Sequence, residues 1–249
     1  AAALDGVSAL RKQLGWSRNE EVLLLGSSRP GEEALLLDAY RSLRKSRPGL
    51  RWVLAPRHME RMDEVAALLK REKIAFSRRS QSPGPVDAPV LLLDSLGELR
   101  SFYALAIERG LAWIGVSFKD FGGQNPLEPA AFAVPVIFGP SMRHFPDVAK
   151  ALLDCEGAFQ VEASNLVAQS WQLLDDTQLR QRTVQAAQTC VREHAGASRS
   201  SADLGLRLLL LDRMSKDDAW HAQGFDRVRA SVEVGSSLEE PDWRHEAPH

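Results

Sequence analysis

The sequence has few cysteines and no long apolar run, and both absences narrow the class of protein. Its two cysteines, Cys155 and Cys190, are too few for a disulfide framework and lack the spacing of metal ligands. No run approaches the roughly 18–20 apolar residues that cross a bilayer. Residues 1–14 lack the basic start and apolar centre of a signal peptide. We therefore expect a soluble segment that resides in a reducing compartment.

Neither sign of charge dominates the composition. The 31 Lys and Arg residues nearly balance the 33 Asp and Glu residues, so bulk attraction gives no reason to expect a nucleic-acid partner. With 44% hydrophobic and 26% charged residues, the 249-residue chain can bury a core of its own. The chain begins with Ala1, which indicates a processed chain or a segment of a longer protein.

Short apolar runs alternate with amphipathic stretches along most of the chain. The apolar runs predict buried strands at residues 22–25, 52–55, 90–93, 112–114 and 136–138. The amphipathic stretches predict helices at residues 32–44, 60–70, 98–108, 127–133 and 145–153. This order is typical of an α/β fold, and we predict a Rossmann-like open parallel sheet with helices on both faces.

The pattern changes after residue 161. Three consecutive helices are predicted at residues 165–174, 178–194 and 200–214, which form a helical carboxyl-terminal region, and residues 77–88 read as a loop. We therefore predict one domain over residues 1–215. Residues 216–249 contain 4 basic and 8 acidic residues and few apolar ones, which favours a flexible acidic tail.

Small residues follow the first predicted strand directly, in the sequence GSSRPGEE at residues 26–33. The hydroxyls of Ser27 and Ser28, the cation of Arg29 and free amides at the helix start would suit a phosphate or carboxylate. An N-capped helix with Pro30 in its first turn explains the same residues without a ligand. The local pattern leaves both interpretations open.

Two further junctions follow the second and third strands. Pro56 ends a strand and places Arg57 at the carboxyl edge of the sheet, where ligands of such sheets bind, although a solvated loop arginine is the alternative. Ser95 and Glu98 have the spacing of a helix capping box. Gly97 between them would let the backbone approach a ligand closely.

The fourth junction carries the strongest signal, the sequence GGQNPLEPA at residues 122–130. Two glycines predict a tight turn, and Asn125 is expected to cap a helix whose first turn holds Pro126. Glu128 would be stabilised there by the helix dipole, or would point outward to accept hydrogen bonds from a ribose diol. Elsewhere we find no persuasive nucleophile–base arrangement and no metal-ligand spacing.

Together these junctions resemble one family, the 3-deoxy-D-manno-octulosonic acid (Kdo) transferases. The matching segments have the family's order and spacing: GSSRPGEE at 26–33, PRH at 56–58, DSLGEL at 94–99 and GGQNPLEPAA at 122–131. PVIFGP at 135–140 and Phe145 are also similar to the family. The resemblance covers about residues 6–211 and corresponds to the carboxyl-terminal half of the family's chain.

The resemblance implies one half of a GT-B glycosyltransferase, whose carboxyl-terminal domain holds the sugar nucleotide CMP-Kdo. By resemblance, the residues that contact the donor are Pro56, Arg57, Leu96, Gly97, Glu98, Asn125, Pro126, Leu127 and Glu128. Ser27 and Arg29 are our own inference for the phosphate and the sugar carboxylate. The family catalyses inverting transfer of Kdo to a lipid A precursor in lipopolysaccharide biosynthesis, and no cofactor is expected.

The family's general base, a glutamate, lies in its amino-terminal half, which also binds the acceptor and carries the membrane anchor. We therefore assign no catalytic residue to this chain, expect it to be inactive alone, and place it at the cytoplasmic face of the inner membrane. The sequence departs from the family at Leu96 (usually Met), Gln124 (often His) and Arg29-Pro30 (often His-Glu). Two alternatives stay open: a standalone nucleotide-binding module that pairs with a separate acceptor-binding chain, and a GT-B enzyme that uses a UDP-sugar.

Overall fold

A sheet of seven parallel strands organises the fold in the computed structural model, which describes residues 2–197. The strands are β1 (Val22–Ser28), β2 (Arg51–Pro56), β3 (Phe76–Arg78), β4 (Val90–Leu92), β5 (Gly110–Ile114), β6 (Val136–Phe138) and β7 (Phe159–Gln160). The predicted helix at 200–214, the domain boundary at 215 and the acidic tail at 216–249 lie outside the described residues. Within the described part, the predicted Rossmann-like parallel sheet is confirmed.

The strand order is β3-β4-β2-β1-β5-β6-β7, and each neighbouring pair is parallel. β1 lies at the centre, where Leu25 is opposite Leu54 of β2 and Trp113 of β5. The chain runs outward from β1 through β2 to the edge strand β3, places β4 between β2 and β3, then returns to β5 beside β1 and continues outward to β7. This reversal is a topological switch point between β1 and β5, and ligands of open α/β sheets bind at the carboxyl ends of strands there.

Eight helices accompany the sheet within the described residues. They are α1 (Ala2–Leu14), α2 (Glu32–Ser46), α3 (Met62–Arg71), α4 (Leu99–Leu105), α5 (Leu127–Ala131), α6 (Pro146–Asp154), α7 (Leu166–Asp175) and α8 (Thr177–Ala197). No helix in this part of the chain combines the length and the apolar character needed to cross a membrane.

Both faces of the sheet are buried, so its strands are apolar on consecutive positions rather than on alternate ones. Leu23 and Leu25 of β1 point to the core under α2, α3 and α7. In that core the ring of Tyr40 stacks on Trp52 with centroids 4.6 Å apart. Val22 and Leu24 point to the opposite core, which contains α4. The helical faces therefore enclose the sheet and leave its carboxyl edge open to the loops.

Three elements were missed by the sequence patterns. β3 and β7 have three and two residues, too few to show a strand period, and β3 extends into the predicted loop at 77–88. The 13-residue α1 was not predicted either. α4 ends at Leu105 rather than at residue 108, because the chain must reach Gly110 at the start of β5.

Candidate functional site

Loops from four strands meet at the carboxyl edge of the sheet. The backbone amide of Arg57, after β2, donates to the carbonyl of Ser28 at the end of β1, with an N–O distance of 3.1 Å. The amide of Gly115, after β5, donates to the carbonyl of Gly26 at 2.9 Å. A Cβ atom on Gly115 would lie 2.5 Å from that carbonyl oxygen, so only glycine allows this approach. The loops are therefore joined by hydrogen bonds between their backbones.

The turns on both sides of the switch point have unusual backbone conformations. Ser27 has a φ of 60° and Val116, a β-branched residue, has a φ of 65°. Both values lie in the left-handed region, which is costly for side chains of this kind. The buried carboxylate of Glu32 accepts hydrogen bonds from the amides of Val116 at 2.7 Å, Phe118 at 3.1 Å and Arg29 at 2.9 Å. These bonds hold both turns in place.

The two acidic residues at the start of α2, Glu32 and Glu33, therefore stabilise the loops around the site. Burial raises the pKa of Glu32 above its ordinary value, and the three amide bonds only partly offset this. The Glu33 carboxylate pairs with Arg61 at 2.7 Å and accepts a bond from the Ser28 hydroxyl at 2.7 Å. α2 begins at Glu32 after Gly31, an N-cap residue without a side-chain cap, so Pro30 precedes the helix and does not lie in its first turn as the alternative interpretation of residues 26–33 required.

Two cations lie at the switch point. The guanidinium of Arg29 lies 5.9 Å from the ring centroid of Phe121, and its buried Nε atom has no hydrogen-bond partner in the described structure. The ammonium of Lys119 lies over Gly31, where an added Cβ atom would overlap it. Within residues 2–197, neither cation has a carboxylate oxygen within 4.0 Å. The side chain of Phe118, the residue before Lys119, is buried in the core.

Arg57 connects the loop after β2 to the loop after β5. Pro56 is the buried last residue of β2, and Arg57 extends from it into solvent. Its Nη1 atom donates a hydrogen bond to Oε1 of Gln124 at 2.6 Å. The structure therefore places Arg57 beside the segment that leads into Asn125 and Glu128, as the convergence of these loops requires.

The loop after β4 exposes its backbone. Gly97 has a φ of 81°, and a Cβ atom added to it would meet nothing within 4 Å. The side chain of Leu96 is 83% exposed. The predicted capping box is wrong: Glu98 itself is the N-cap residue of α4, and Ser95 donates to its carboxylate.

Glu98 is instead held by Arg79, whose Nη2 atom lies 2.9 Å from the carboxylate. Burial raises the pKa of Glu98, but the hydrogen bonds from Arg79 and Ser95, together with the charge of Arg79, lower it further than burial raises it. The carboxylate is therefore stabilised in its ionised form at the rim of the site.

The loop after β6 supports the turn at Gly122 and Gly123, whose φ values are 96° and 80°. The Gly122 amide donates to the Ser141 hydroxyl at 2.9 Å, and the Gly123 amide donates to the Val116 carbonyl at 2.7 Å. A Cβ atom on Gly122 would lie 2.5 Å from the ring of His144. Both glycines are therefore required by close packing as well as by backbone conformation.

The segment after this turn places Glu128 at the site. Oδ1 of Asn125 accepts a hydrogen bond from the Leu127 amide at 3.0 Å, as a capping side chain does, and Pro126 occupies the N-cap position before α5. Pro126 therefore precedes the helix instead of lying in its first turn. The half-exposed Glu128 carboxylate accepts a bond from Nε of Arg100 at 3.0 Å. Glu128 also lies close enough to affect Tyr103, whose hydroxyl lies against Gly26. Burial, and to a smaller extent the charge of Glu128, raise the pKa of Tyr103.

The structure places the predicted site residues at the ends of β1 and β2, in the loops that follow β1, β2, β4 and β5, and in the first turn of α5. They are Ser27, Arg29, Pro56, Arg57, Leu96, Gly97, Glu98, Asn125, Pro126, Leu127 and Glu128. Sequence reasoning missed the position of Lys119 over Gly31 and the hydrogen bonds that Arg100 and Glu32 make. The local sequence does not mark Lys119, because Gly31, over which its ammonium lies, belongs to a distant part of the chain. In the part of the chain described here, no cluster of three or more His, Cys, Asp or Glu side chains is arranged to hold a metal ion.

Comparisons with known proteins identify relatives of this chain. It is 35% identical over 192 residues to a 3-deoxy-D-manno-octulosonic acid transferase from Haemophilus influenzae, an alignment that covers 76% of this chain and 44% of that protein. The chain therefore spans less than half the length of this curated relative. No protein-family model matches the chain.

Solved structures also resemble this chain. The C-terminal CMP-Kdo binding domain of WaaA from Acinetobacter baumannii superposes with a TM-score of 0.70 at 27% identity, over 76% of this chain and 98% of that domain. WaaG, a glycosyltransferase involved in lipopolysaccharide biosynthesis, shares the fold with a TM-score of 0.53 at 15% identity, over 74% of this chain and 46% of WaaG. The sheet is the Rossmann-like half of a GT-B fold, and the chain belongs to the Kdo transferase family, in which it corresponds to the carboxyl-terminal half.

Proposed function

We propose that this chain is the donor-binding domain of a Kdo transferase, which holds CMP-Kdo while Kdo is transferred, with inversion, to a lipid A precursor. The relative from Haemophilus influenzae is named for Kdo transfer, and the Acinetobacter domain is named for CMP-Kdo binding. The acceptor and the general base would be supplied by an amino-terminal half or a separate chain, at the cytoplasmic face of the inner membrane.

One observation carries this proposal: the loops after β2, β4 and β5 are tied together around an open edge. Arg57 reaches Gln124 from the β2 side, and Arg100, on the helix after β4, reaches Glu128. A nucleotide bound between these pairs would contact the exposed backbone at Gly97 and place its ribose hydroxyls against the Glu128 carboxylate. Glu128 has acceptor capacity for this, because a carboxylate has about four lone-pair sites.

The chemistry required of this half is electrostatic. When the bond between the sugar and the phosphate breaks, negative charge develops on the phosphate of the departing CMP. Arg57 and Arg29 lie at the edge where that phosphate would sit, and neither has a carboxylate partner within 4.0 Å in the described structure. Fixed cations without a competing partner stabilise such charge at little cost in reorganisation. The proton of the acceptor hydroxyl would be removed elsewhere, by the other half.

The experiment is a calorimetric titration of this chain with CMP, with UMP as the competing nucleotide. We expect CMP to bind, UMP to bind more weakly, and Arg57→Ala to weaken CMP binding about tenfold or more, since a hydrogen bond to a charged group contributes about 1.5–3 kcal/mol. Arg143→Ala is the matched control, because Arg143 is an exposed arginine of the neighbouring loop that pairs with Asp120.

Absence of CMP binding by the folded chain would refute the donor site. A preference for UMP would instead favour a UDP-sugar enzyme. Equal losses in the Arg57 and Arg143 variants would show that the effect is general electrostatic attraction.

A further inference from the structure

We propose that the hydroxyl of Tyr103 donates a hydrogen bond to a ribose hydroxyl of the bound nucleotide, so that Tyr103 shares the recognition of the ribose with Glu128. Tyr103 lies on α4, and neither the sequence patterns nor the family resemblance selected it. Because Tyr103 would act in the same site, this role rests on the proposed function.

The hydroxyl of Tyr103 is a polar group without a partner in the protein. The residue is only 3% exposed, and among the described residues its hydroxyl neither donates nor accepts a hydrogen bond. Burial, and to a smaller extent the charge of Glu128, raise the pKa of Tyr103, so the hydroxyl stays protonated and keeps its donor. An unpaired donor in a buried residue is costly, and in native proteins such a group commonly pairs with water, an ion or a ligand.

The hydroxyl lies at the carboxyl end of β1, at the switch point. A Cβ atom on Gly26 would lie 2.7 Å from the hydroxyl oxygen, so the phenol occupies space that a side chain on β1 would fill. Gly26 is held in place because its carbonyl accepts a hydrogen bond from the Gly115 amide at 2.9 Å. Ser27, one of the predicted site residues, follows Gly26 directly. The phenol therefore ends beside the proposed donor site.

Two contacts between α4 and α5 set the position of Tyr103 relative to Glu128. Nε of Arg100, three residues before Tyr103, donates to the Glu128 carboxylate at 3.0 Å. The ring of Tyr103 lies against the ring of Phe132, four residues after Glu128, with centroids 6.1 Å apart. Tyr103 and Glu128 are therefore neighbours, and the charge of Glu128 acts on the phenol. Within residues 2–197, however, no hydrogen bond joins the two side chains.

A ribose hydroxyl has the hydrogen-bonding groups that suit both side chains. Its proton would be donated to the Glu128 carboxylate, and its oxygen lone pairs would accept the proton of the Tyr103 hydroxyl. A phosphate oxygen fits this position less well, because its negative charge would lie beside the Glu128 carboxylate. A nucleotide that lacks the contacted ribose hydroxyl would leave the Tyr103 donor unpaired and should bind more weakly.

The test is a set of calorimetric titrations with CMP and with its two monodeoxy analogues, which lack the 2′-hydroxyl or the 3′-hydroxyl. In Tyr103→Phe we expect CMP to bind about three- to tenfold more weakly, because one neutral hydrogen bond is lost. The analogue that lacks the contacted hydroxyl should bind to Tyr103→Phe and to the unmodified chain equally, since the bond is absent from both complexes. Tyr40→Phe is the matched control and should leave CMP affinity unchanged, because Tyr40 is a buried tyrosine of the opposite core whose hydroxyl lies 3.5 Å from the Pro89 carbonyl.

Melting temperatures without nucleotide give a second readout. Because the hydroxyl has no partner among the described residues, Tyr103→Phe should melt no lower than the unmodified chain. A lower melting temperature would assign the hydroxyl to the fold and overturn the proposal.

The titrations can also overturn it. Unchanged CMP affinity in Tyr103→Phe would show that the hydroxyl pairs only with water. Equal losses for CMP and both deoxy analogues would show that Tyr103 does not contact a ribose hydroxyl. If the unmodified chain does not bind CMP, the donor site itself is wrong, a result that does not depend on any Tyr103 variant.

Discussion

The carboxylate of Glu32 accepts a hydrogen bond from the amide of Val116 at 2.7 Å, across the switch point between β1 and β5. Val116 has a positive φ, and its carbonyl in turn accepts a bond from the Gly123 amide at 2.7 Å. One buried side chain at the start of α2 thus fixes the loop that leads to the Gly-Gly turn and to Glu128. The position of Glu128, the residue proposed to bind the ribose, therefore depends on the carboxylate of Glu32, which is not one of the proposed donor contacts.

We predict that Glu32→Gln destabilises the fold by about 1–3 kcal/mol, because the amide group of glutamine would face a backbone amide donor. The measurement is the free energy of unfolding in urea. Glu162→Gln, an exposed carboxylate on the same fold, is the control and should change it by less than about 0.5 kcal/mol. Equal stability of the two variants would mean that the Glu32 bonds contribute nothing net.

The pH dependence of Glu98 has a definite sign. Its pKa is lowered in the folded state, since the hydrogen bonds and charge of its partners outweigh burial. The stability it contributes is therefore present above the unfolded pKa and is lost as the pH falls through the folded pKa. We predict that Glu98→Gln costs less than about 1 kcal/mol near neutral pH, because the pair is partly exposed, and still less near about pH 3. A cost that grows on acidification would contradict this sign.

Substitution of Gly97 is expected to change both the stability of the fold and the affinity for CMP, and the two effects can be measured separately. Because its φ is 81° and its surroundings are open, Gly97→Ala should cost about 1–2 kcal/mol of stability through backbone strain alone. If a nucleotide approaches this backbone closely, the variant should also lose about tenfold or more in CMP affinity under conditions where it is fully folded. Gly84→Ala is the control, since Gly84 also has open surroundings but lies outside the predicted site. Unchanged CMP affinity in Gly97→Ala would remove Gly97 from the site.

The two cysteines should differ in reactivity. Burial, and next the neighbouring Cys155, raise the pKa of the Cys190 thiol to about 11, whereas Cys155 is partly exposed. Thiolate is the reactive form, so Cys190 should react slowly with iodoacetamide at neutral pH. Peptide mass spectrometry of the native chain should show Cys155 modified first. Faster modification of Cys190 would contradict the packing of α8 against α6.

Much of the sheet could be predicted because its central strands are buried on both faces. The apolar runs at β1, β2 and β5 are continuous, and the parallel pairing then places their following loops on one edge. β3 and β7 were missed because they have three and two residues, so that no period is visible.

The site was predicted as a set of positions and not as a set of contacts. The spacing of Ser95 and Glu98 fits a capping box, yet Glu98 pairs with Arg79, 19 residues earlier in the chain. The relation between Gly31 and Lys119 spans 88 residues and leaves no local pattern. Contacts of this range depend on the tertiary fold, so the sequence patterns alone could not indicate them.

The proposed function requires a nucleotide to lie at the carboxyl edge with its ribose against Glu128, and a crystal structure of the chain with CMP tests this most directly. We predict density for CMP between the loops after β2, β4 and β5, with both ribose hydroxyls within hydrogen-bond distance of the Glu128 carboxylate and the phosphate near Arg57. CMP bound elsewhere on the chain, or bound at this edge with its ribose away from Glu128, would contradict the proposed donor site.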